Sequence, residues 1–163
     1  MRDPLQGWRV LSGLLLSGGL MAIGLYSERA RASIAAARAY VRAKGFDATP
    51  DGLRHCRRAI IELPETDPAR GTTSFGDFYS LDGCRDLIMH AHERALTLPR
   101  IAQYLQELDM RFLGFSCDAR ILAKFHAMFP GKEARTDLAH WDRFEQAHPD
   151  AFANMYEFWC CRR

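Results

Sequence analysis

Two short stretches of the sequence carry polar side chains in arrangements that suit ligand binding or acid-base catalysis. The first is Tyr26-Ser27-Glu28, which directly follows a continuous apolar run. Doubly wound α/β proteins bind ligands at the carboxyl ends of their strands, so these three residues are candidates to border a pocket. The alternative is that Ser27 only caps the following helix and that Tyr26 only packs.

The second stretch lies between residues 77 and 93 and begins with Asp77 and Tyr79 at the end of a loop. Four polar side chains then fall on neighbouring turns of one predicted helix: Arg85, Asp86, His90 and Glu93. Arg85 suits the clamping of an acidic substrate group, and His90 suits a general base because its ordinary pKa is near neutrality. The alternative is that Arg85 pairs with a neighbouring loop and His90 packs.

The histidines and cysteines do not form a pattern that predicts a metal site. His90 and His92 are two residues apart on a predicted helix and therefore face different directions, and His55 beside Cys56 fails for the same reason. The five cysteines are odd in number, irregular in spacing and without a Cys-x-x-Cys pair. This pattern excludes a disulfide scaffold and a zinc ribbon, and it favours reduced thiols in a cytoplasmic protein.

The composition is that of one folded domain. The 163 residues are 48% hydrophobic and 26% charged, with a formal net charge of +2. Such a chain is large enough to bury a core and too apolar to be disordered. The small net charge, and the scatter of basic residues along the predicted helices, argue against a nucleic-acid partner.

The elements that would position these residues are those of a helix-rich α/β chain. Residues 4–16 form a predicted helix, which leads through Gly18-Gly19 into a strand at residues 20–26 that is buried on both faces. Helices are expected at residues 27–44, 49–63, 80–93, 97–109, 119–129, 137–147 and 150–160, and a second strand at residues 110–115. We therefore expect two or three strands and about seven helices, with a lid or substrate loop at residues 65–80.

The predicted elements resemble a known family. The leucine-rich helix, the Gly18-Gly19 turn and the strand ending in Tyr26-Ser27 resemble the region around strand five of class I S-adenosylmethionine-dependent methyltransferases. In many of those enzymes the turn is Pro-Gly-Gly, and here Ser17 takes the place of the proline. Residues 77–90 and 97–115 are similar to the C-terminal half of bacterial members, some of which follow tetratricopeptide repeats.

The resemblance implies a partial Rossmann-like sheet, S-adenosylmethionine as the cofactor, and methyl transfer to an acceptor that the sequence does not identify. Seven residues would border the acceptor pocket: Tyr26, Ser27, Glu28, Asp77, Tyr79, Arg85 and His90. The resemblance also implies that residues 1–163 are a single domain beginning at strand five, without the donor-binding N-terminal half.

The glycine pattern agrees with that last expectation. No Gly-x-Gly-x-Gly follows a predicted strand, and Gly18-Gly19 precedes one, which is the wrong order for cradling a cofactor. We therefore expect a chain that is inactive alone, with the missing half or a second subunit as its partner. The alternative from another class is a non-catalytic remnant or interaction module.

Two further expectations concern the N-terminal segment. A strand at residues 20–26 without an inner neighbour would leave an apolar edge exposed, which predicts marginal stability, aggregation or pairing with a partner. The uncharged run at residues 10–26, ahead of Ala30-Arg31-Ala32, also resembles a secretory signal that is cut after Ala32. Charged residues close to that cut and the Gly18-Gly19 pair favour a helix and a strand instead, and export stays open as the alternative.

Overall fold

The computed structural model describes residues 4–89, 93–153 and 155–163, and it has the α/β class that the sequence predicts. The described residues divide into two compact units. The first unit takes its residues from Met1–Ala30 and Arg94–Arg163, and the second from Arg31–Glu93.

The first unit contains four helices and four strands in its described part. The helices are α1 (Pro4–Gly13), α5 (Leu98–Glu107), α6 (Ala119–Met128) and α7 (Leu138–Ala147). The strands are β1 (Leu20–Ser27), β2 (Ala95–Leu96), β3 (Met110–Phe115) and β4 (Tyr156–Arg162). Short 3-10 helices span Lys132–Thr136 and Pro149–Phe152.

The four strands form one mixed sheet in the order β2-β1-β4-β3. β2 is parallel to β1, with Tyr26 opposite Ala95 and Ser27 opposite Leu96. β4 lies between β1 and β3 and is antiparallel to both. The sequence predicts two or three strands, and β2 and β4 are the additional elements.

Aromatic side chains from the helices cover one face of this sheet. Phe112, Phe115 and Phe158 of the sheet are buried on this face, and the Phe115 ring meets the Trp141 ring of α7 at 5.0 Å. The Phe125 ring of α6 stacks on Trp141 with the ring centroids 3.7 Å apart. The core of the first unit therefore lies between the sheet and its helices.

The opposite face of the sheet is exposed, which differs from the expectation of a strand buried on both faces. Leu20, Ala22 and Gly24 of β1 are exposed, and Glu157 and Trp159 of β4 are exposed as well. Among the described residues, no strand pairs with the second edge of residues 20–25. Several large apolar side chains in this region are also exposed: Val10, Leu11, Leu14, Leu16 and Leu20.

The helix predicted at residues 150–160 is wrong, because most of that segment is β4. Phe152, Met155, Tyr156 and Trp159 have the spacing of a helical face, but the same segment also fits a strand. In the structure Tyr156, Phe158 and Cys160 are buried in alternation, and six residue pairs join β4 to β1. Pairing with two strands distant in sequence therefore overrides the local helical pattern.

The second unit is helical in its described part, with α2 (Ala32–Lys44), α3 (Pro50–Ile61) and α4 (Leu81–Met89). The predicted caps of α3 and α4 are confirmed, since Thr49 Oγ1 accepts from Gly52 N at 3.1 Å and Ser80 Oγ accepts from Gly83 N at 3.0 Å. Gly45 ends α2 in the left-handed conformation, with φ of 71°.

The predicted loop at residues 65–80 is a packed part of this second unit. It forms two 3-10 helices, Pro68–Ser74 and Gly76–Tyr79. Ala69, Thr72 and Phe78 of these helices are buried, and Ala69 and Phe78 join the same apolar cluster as Ile34 and Leu53. Residues 65–80 therefore contribute Phe78 to the core of the second unit.

Candidate functional site at the carboxyl end of β1

The carboxyl end of β1 brings together polar groups from three elements of the first unit. Ser27 is the last residue of β1, Glu145 lies in α7, and Tyr156 begins β4. All three side chains are buried, with exposed fractions of 1%, 1% and 0%. A buried carboxylate of this kind needs hydrogen-bond donors to compensate for its loss of water.

Two hydroxyl groups supply those hydrogen bonds. The Ser27 Oγ hydroxyl donates to Glu145 Oε1 at 2.5 Å. The Tyr156 hydroxyl donates to both carboxylate oxygens, at 2.7 Å to Oε1 and 2.8 Å to Oε2. Both oxygens of Glu145 are therefore occupied by protein donors, and we call these three residues the Glu145 network.

Arg29 adds a positive charge at the edge of this network. Its guanidinium lies 3.5 Å from Glu145 Oε2 and 3.3 Å from Asp142 Oδ1. The Arg29 side chain is 37% exposed, so solvent screens these ion pairs and they contribute little by themselves. Arg29 nevertheless places a cation beside a carboxylate that is otherwise held only by hydroxyl groups.

The protonation of Tyr156 follows from this environment. Burial raises the pKa of the Tyr156 hydroxyl well above its usual range, the Glu145 carboxylate raises it further, and the Ser27 hydroxyl and Arg29 oppose the rise. The phenol therefore stays protonated at neutral pH and remains a donor to Glu145.

The Glu145 network holds the end of β1 rather than presenting a free acid or base. Ser27 Oγ also accepts a hydrogen bond from Ala30 N at 3.0 Å, which fixes the turn after the strand. The backbone of that turn is further held by Glu28 N, which donates to Leu96 O at 3.0 Å. The expectation that Ser27 caps the next helix is wrong, because α2 begins at Ala32, beyond this turn.

The other two candidate residues at this end of β1 differ in exposure. Tyr26 is half-buried within the sheet opposite Ala95, whereas Glu28 is exposed in the turn. The structure therefore places the three predicted residues of this stretch at a strand end, as expected, with only Ser27 in the buried network.

The candidate residues of the second stretch lie in the second unit and do not converge on one another. Asp77 is exposed, and the exposed Tyr79 donates its hydroxyl hydrogen bond to Thr73 O at 2.9 Å. Arg85 pairs with Asp82 of its own helix at 3.1 Å. The prediction for His90 lies outside the described residues.

Glu93, which the pattern placed near Arg85, binds two other cations instead. Its carboxylate lies 2.9 Å from Arg31 Nη1 and 2.7 Å from Arg38 Nη2. The Arg38 Nε group also donates to Leu87 O at 3.0 Å. These contacts tie the end of the second unit to α2 and leave Glu93 committed to a structural role.

Neither Glu145 nor Tyr156 is among the candidates from the sequence, although the position of Glu145 in its helix indicates burial. Glu145 falls four residues after Trp141 and seven after Leu138, on the apolar face of α7, where an acidic residue indicates a buried carboxylate. Tyr156 has no such signal, because its segment fits a helix as well as a strand. Sequence alone does not show that the two side chains meet.

The described residues gather no group of metal ligands, and the Gly18-Gly19 turn has no free backbone donors for a methyl donor. Across residues 4–89, 93–153 and 155–163, no three His, Cys, Asp or Glu side chains gather as metal ligands. The Gly18-Gly19 turn does not fit a donor either, because Gly18 N donates to Arg162 O at 2.9 Å and Gly19 N to Leu16 O at 2.8 Å. Both backbone donors of that turn are therefore already used within the fold.

No known family model and no curated protein matches the sequence. The fold, however, is similar to that of solved structures. PKMT2 from Rickettsia typhi, a methyltransferase, matches 98% of this chain with a TM-score of 0.68 and 12% sequence identity. The same protein in complex with AdoHcy matches 98% with a TM-score of 0.65 and 11% identity.

These matches show that this chain shares its fold with part of PKMT2, and they leave the activity open. The chain covers 32% and 33% of the two matched structures, so it spans about one third of their length. None of the helices in the described residues has the length and hydropathy of a membrane span.

Proposed function

We propose that this chain is the substrate-side portion of an S-adenosylmethionine-dependent methyltransferase and that it is inactive alone. The observation that carries the proposal is the shared fold, which extends over 98% of this chain and occurs in a protein that binds AdoHcy. AdoHcy is what remains of S-adenosylmethionine after its methyl group has been transferred. The contribution of this chain would be to contact the methyl acceptor. Tyr26 and Glu28 are the candidates in the first unit, and Asp77, Tyr79 and Arg85 are the separate candidates in the second.

The donor-binding half would come from another segment or a second subunit. Two features of the first unit support this arrangement: the backbone donors of the Gly18-Gly19 turn are already used, and the second edge of residues 20–25 has no partner strand among the described residues. An unpaired edge next to exposed apolar side chains suits the addition of a strand from a partner.

The test is a calorimetric titration of the purified chain with S-adenosylmethionine and AdoHcy up to millimolar concentration. We expect no heat of binding from this chain alone. Micromolar binding would contradict the assignment of donor binding to another part. The DNA upstream of the Met1 codon provides the second readout, since an open frame encoding a strand followed by Gly-x-Gly-x-Gly would supply the expected half.

The second candidate function is a non-catalytic interaction module. The Glu145 network favours it, because every polar group there is already satisfied within the protein. If the chain joined to a donor-binding half still neither binds S-adenosylmethionine nor transfers a methyl group, the module is the correct assignment. In that case the exposed apolar surface serves association alone.

The third candidate, an exported helical protein, conflicts with the role of β1 in the sheet. Cleavage after Ala32 would remove α1 and the whole of β1, which pairs with β4 over six residues. We therefore propose that the N-terminal segment stays part of the folded protein. Mass spectrometry of the protein from its native cells would contradict this by finding a mature chain that begins at Ser33.

A further inference from the structure

The exposed face of the sheet carries a pocket of about 330 Å³, close to the lower end of the range for ligand sites. Its lining includes Ala22 and Gly24 of β1, Glu157 and Trp159 of β4, Met155 just before β4 and Ser116 just after β3. All of these residues belong to the first unit. The pocket lies on the face opposite the aromatic core.

Two side chains give this pocket its chemical character. Trp159 is 47% exposed, whereas Trp8 and Trp141 are buried, so it presents the accessible indole ring of the protein. Glu157 is two residues away on the same strand, which places both side chains on one face about 7 Å apart along the strand. In the described part of the chain, no cation pairs with the Glu157 carboxylate.

Small residues opposite this pair leave space for a ligand. In the register of the sheet, Ala22 is opposite Trp159 and Gly24 is opposite Glu157. A Cβ atom at Gly24 would lie 3.1 Å from Met155 Sδ, so the lack of a side chain there keeps the pocket from closing. The floor is therefore formed by a methyl group and bare backbone, with the Met155 thioether at its edge.

An aromatic face beside an unpaired carboxylate is selective for one class of ligand. Indole rings attract cations, most strongly those that shed water easily, and the carboxylate adds a Coulomb attraction. The cationic residue of β3 on this face is Arg111, which is opposite Cys161. Trp159 therefore lies between this position and Glu157 along β4, and Arg111 donates a hydrogen bond to Cys161 Sγ at 3.5 Å. We propose that the Trp159–Glu157 pocket binds an organic ammonium group carrying alkyl substituents. This inference does not depend on methyl transfer.

The test uses choline as the probe and a neutral molecule of the same shape, 3,3-dimethylbutan-1-ol, as its control. Both are titrated into the full chain while the three indole N–H signals are followed by NMR, with the Trp159 signal assigned from W159F. We expect choline to shift the Trp159 signal in a saturable way at millimolar concentration. The neutral control should bind between about twofold and thirtyfold more weakly, from the strength of cation–π contacts.

A variant and its control test the contribution of the Glu157 carboxylate to choline binding. E157Q should weaken choline binding by about two- to fivefold, because the ion pair between the ammonium group and the exposed Glu157 carboxylate is screened by solvent. E107Q, which changes an exposed carboxylate at the end of α5, should leave it unchanged. Because these variants alter exposed side chains, both are expected to fold.

Three outcomes would overturn the proposal. Equal binding of choline and its neutral isostere would show an apolar docking surface instead of a cation site. Shifts only at Trp8 or Trp141 would place the ligand elsewhere. The lack of a saturable shift at 50 mM choline would show that the pocket does not take an alkylated ammonium group.

Discussion

Removing the Glu145 carboxylate should destabilise the protein more than any comparable change at an exposed acidic residue. In E145A, the hydroxyl groups of Ser27 and Tyr156 lose their acceptor while they remain buried. Each buried donor without a partner costs about 1–3 kcal/mol, so with two such donors we expect the free energy of unfolding to fall by about 2–6 kcal/mol. For a chain of this size, each kcal/mol lowers the melting temperature by about 2–4 °C.

The conservative variant E145Q tests the charge separately. The amide retains one oxygen acceptor and offers an N–H₂ donor to the Tyr156 hydroxyl, but it loses the attraction to Arg29. Hydrogen bonds to a charged acceptor are stronger than neutral ones, which predicts a smaller loss of about 1–2 kcal/mol. Urea unfolding followed by circular dichroism measures both variants, with E107A and E107Q as matched exposed controls that should change stability by less than about 0.5 kcal/mol.

A third variant decides whether unpaired hydroxyl groups are the cause. Replacing all three members of the network with apolar side chains, in S27A/E145M/Y156F, removes the donors together with their acceptor. This apolar set of similar volume leaves no buried hydroxyl group unpaired and loses only the bond from Ala30 N to Ser27 Oγ, so the variant should regain most of the stability that E145A loses. If it is less stable than E145A, or if E145A behaves like E107A, our account of the network is refuted.

Two further predictions concern the core of the second unit and the exposed apolar surface. Burial raises the pKa of the Cys56 thiol to about 12, above its ordinary 9.0. The contribution of the protonated thiol to stability is therefore complete below pH 9 and is lost as the pH rises toward 12, at about 1.4 kcal/mol per pH unit. Urea unfolding between pH 8 and 11 should show a shallower decline of the unfolding free energy with pH for C56A than for the wild type, and equal declines would contradict this. Leu14 and Leu16 are 77% and 84% exposed, so L14S/L16S should reduce self-association of the purified chain in analytical ultracentrifugation while its melting temperature stays within about 2 °C of the wild type. Unchanged association would show that other residues mediate it. Separately, a wild-type monomer that melts cooperatively above about 60 °C would refute the prediction of marginal stability.

The parts of the fold that the sequence predicts are those governed by local chemistry. Thr97 and Pro99 mark the start of α5, and in the structure Thr97 Oγ1 accepts from Arg100 N at 3.3 Å. β3 follows α5 at residues 110–115, as expected. Caps, prolines and apolar periodicity act within a few residues, so a single sequence contains them in full.

The parts that the sequence does not predict depend on distant partners. β2 is only two residues long, and it is a strand because it pairs with the end of β1, almost 70 residues earlier. Likewise, the burial of Glu145 is visible in the pattern of α7, but the identity of its donors depends on Ser27, which is 118 residues away. Local rules specify that a carboxylate needs partners without specifying which residues provide them.

The Glu145 network lies where the chain leaves and re-enters the first unit. The chain leaves this unit after Ala30 and returns at Arg94, and the pairing of Tyr26 with Ala95 brings the two crossing points close together. A chain tolerates such an interruption of one unit where the two ends lie close together. Ser27 fixes the outgoing turn through its bonds to Glu145 and Ala30 N, and the bond from Glu28 N to Leu96 O ties that turn to β2. A buried carboxylate at this position therefore stabilises the strand end at which doubly wound proteins place their ligands, whether or not it touches one.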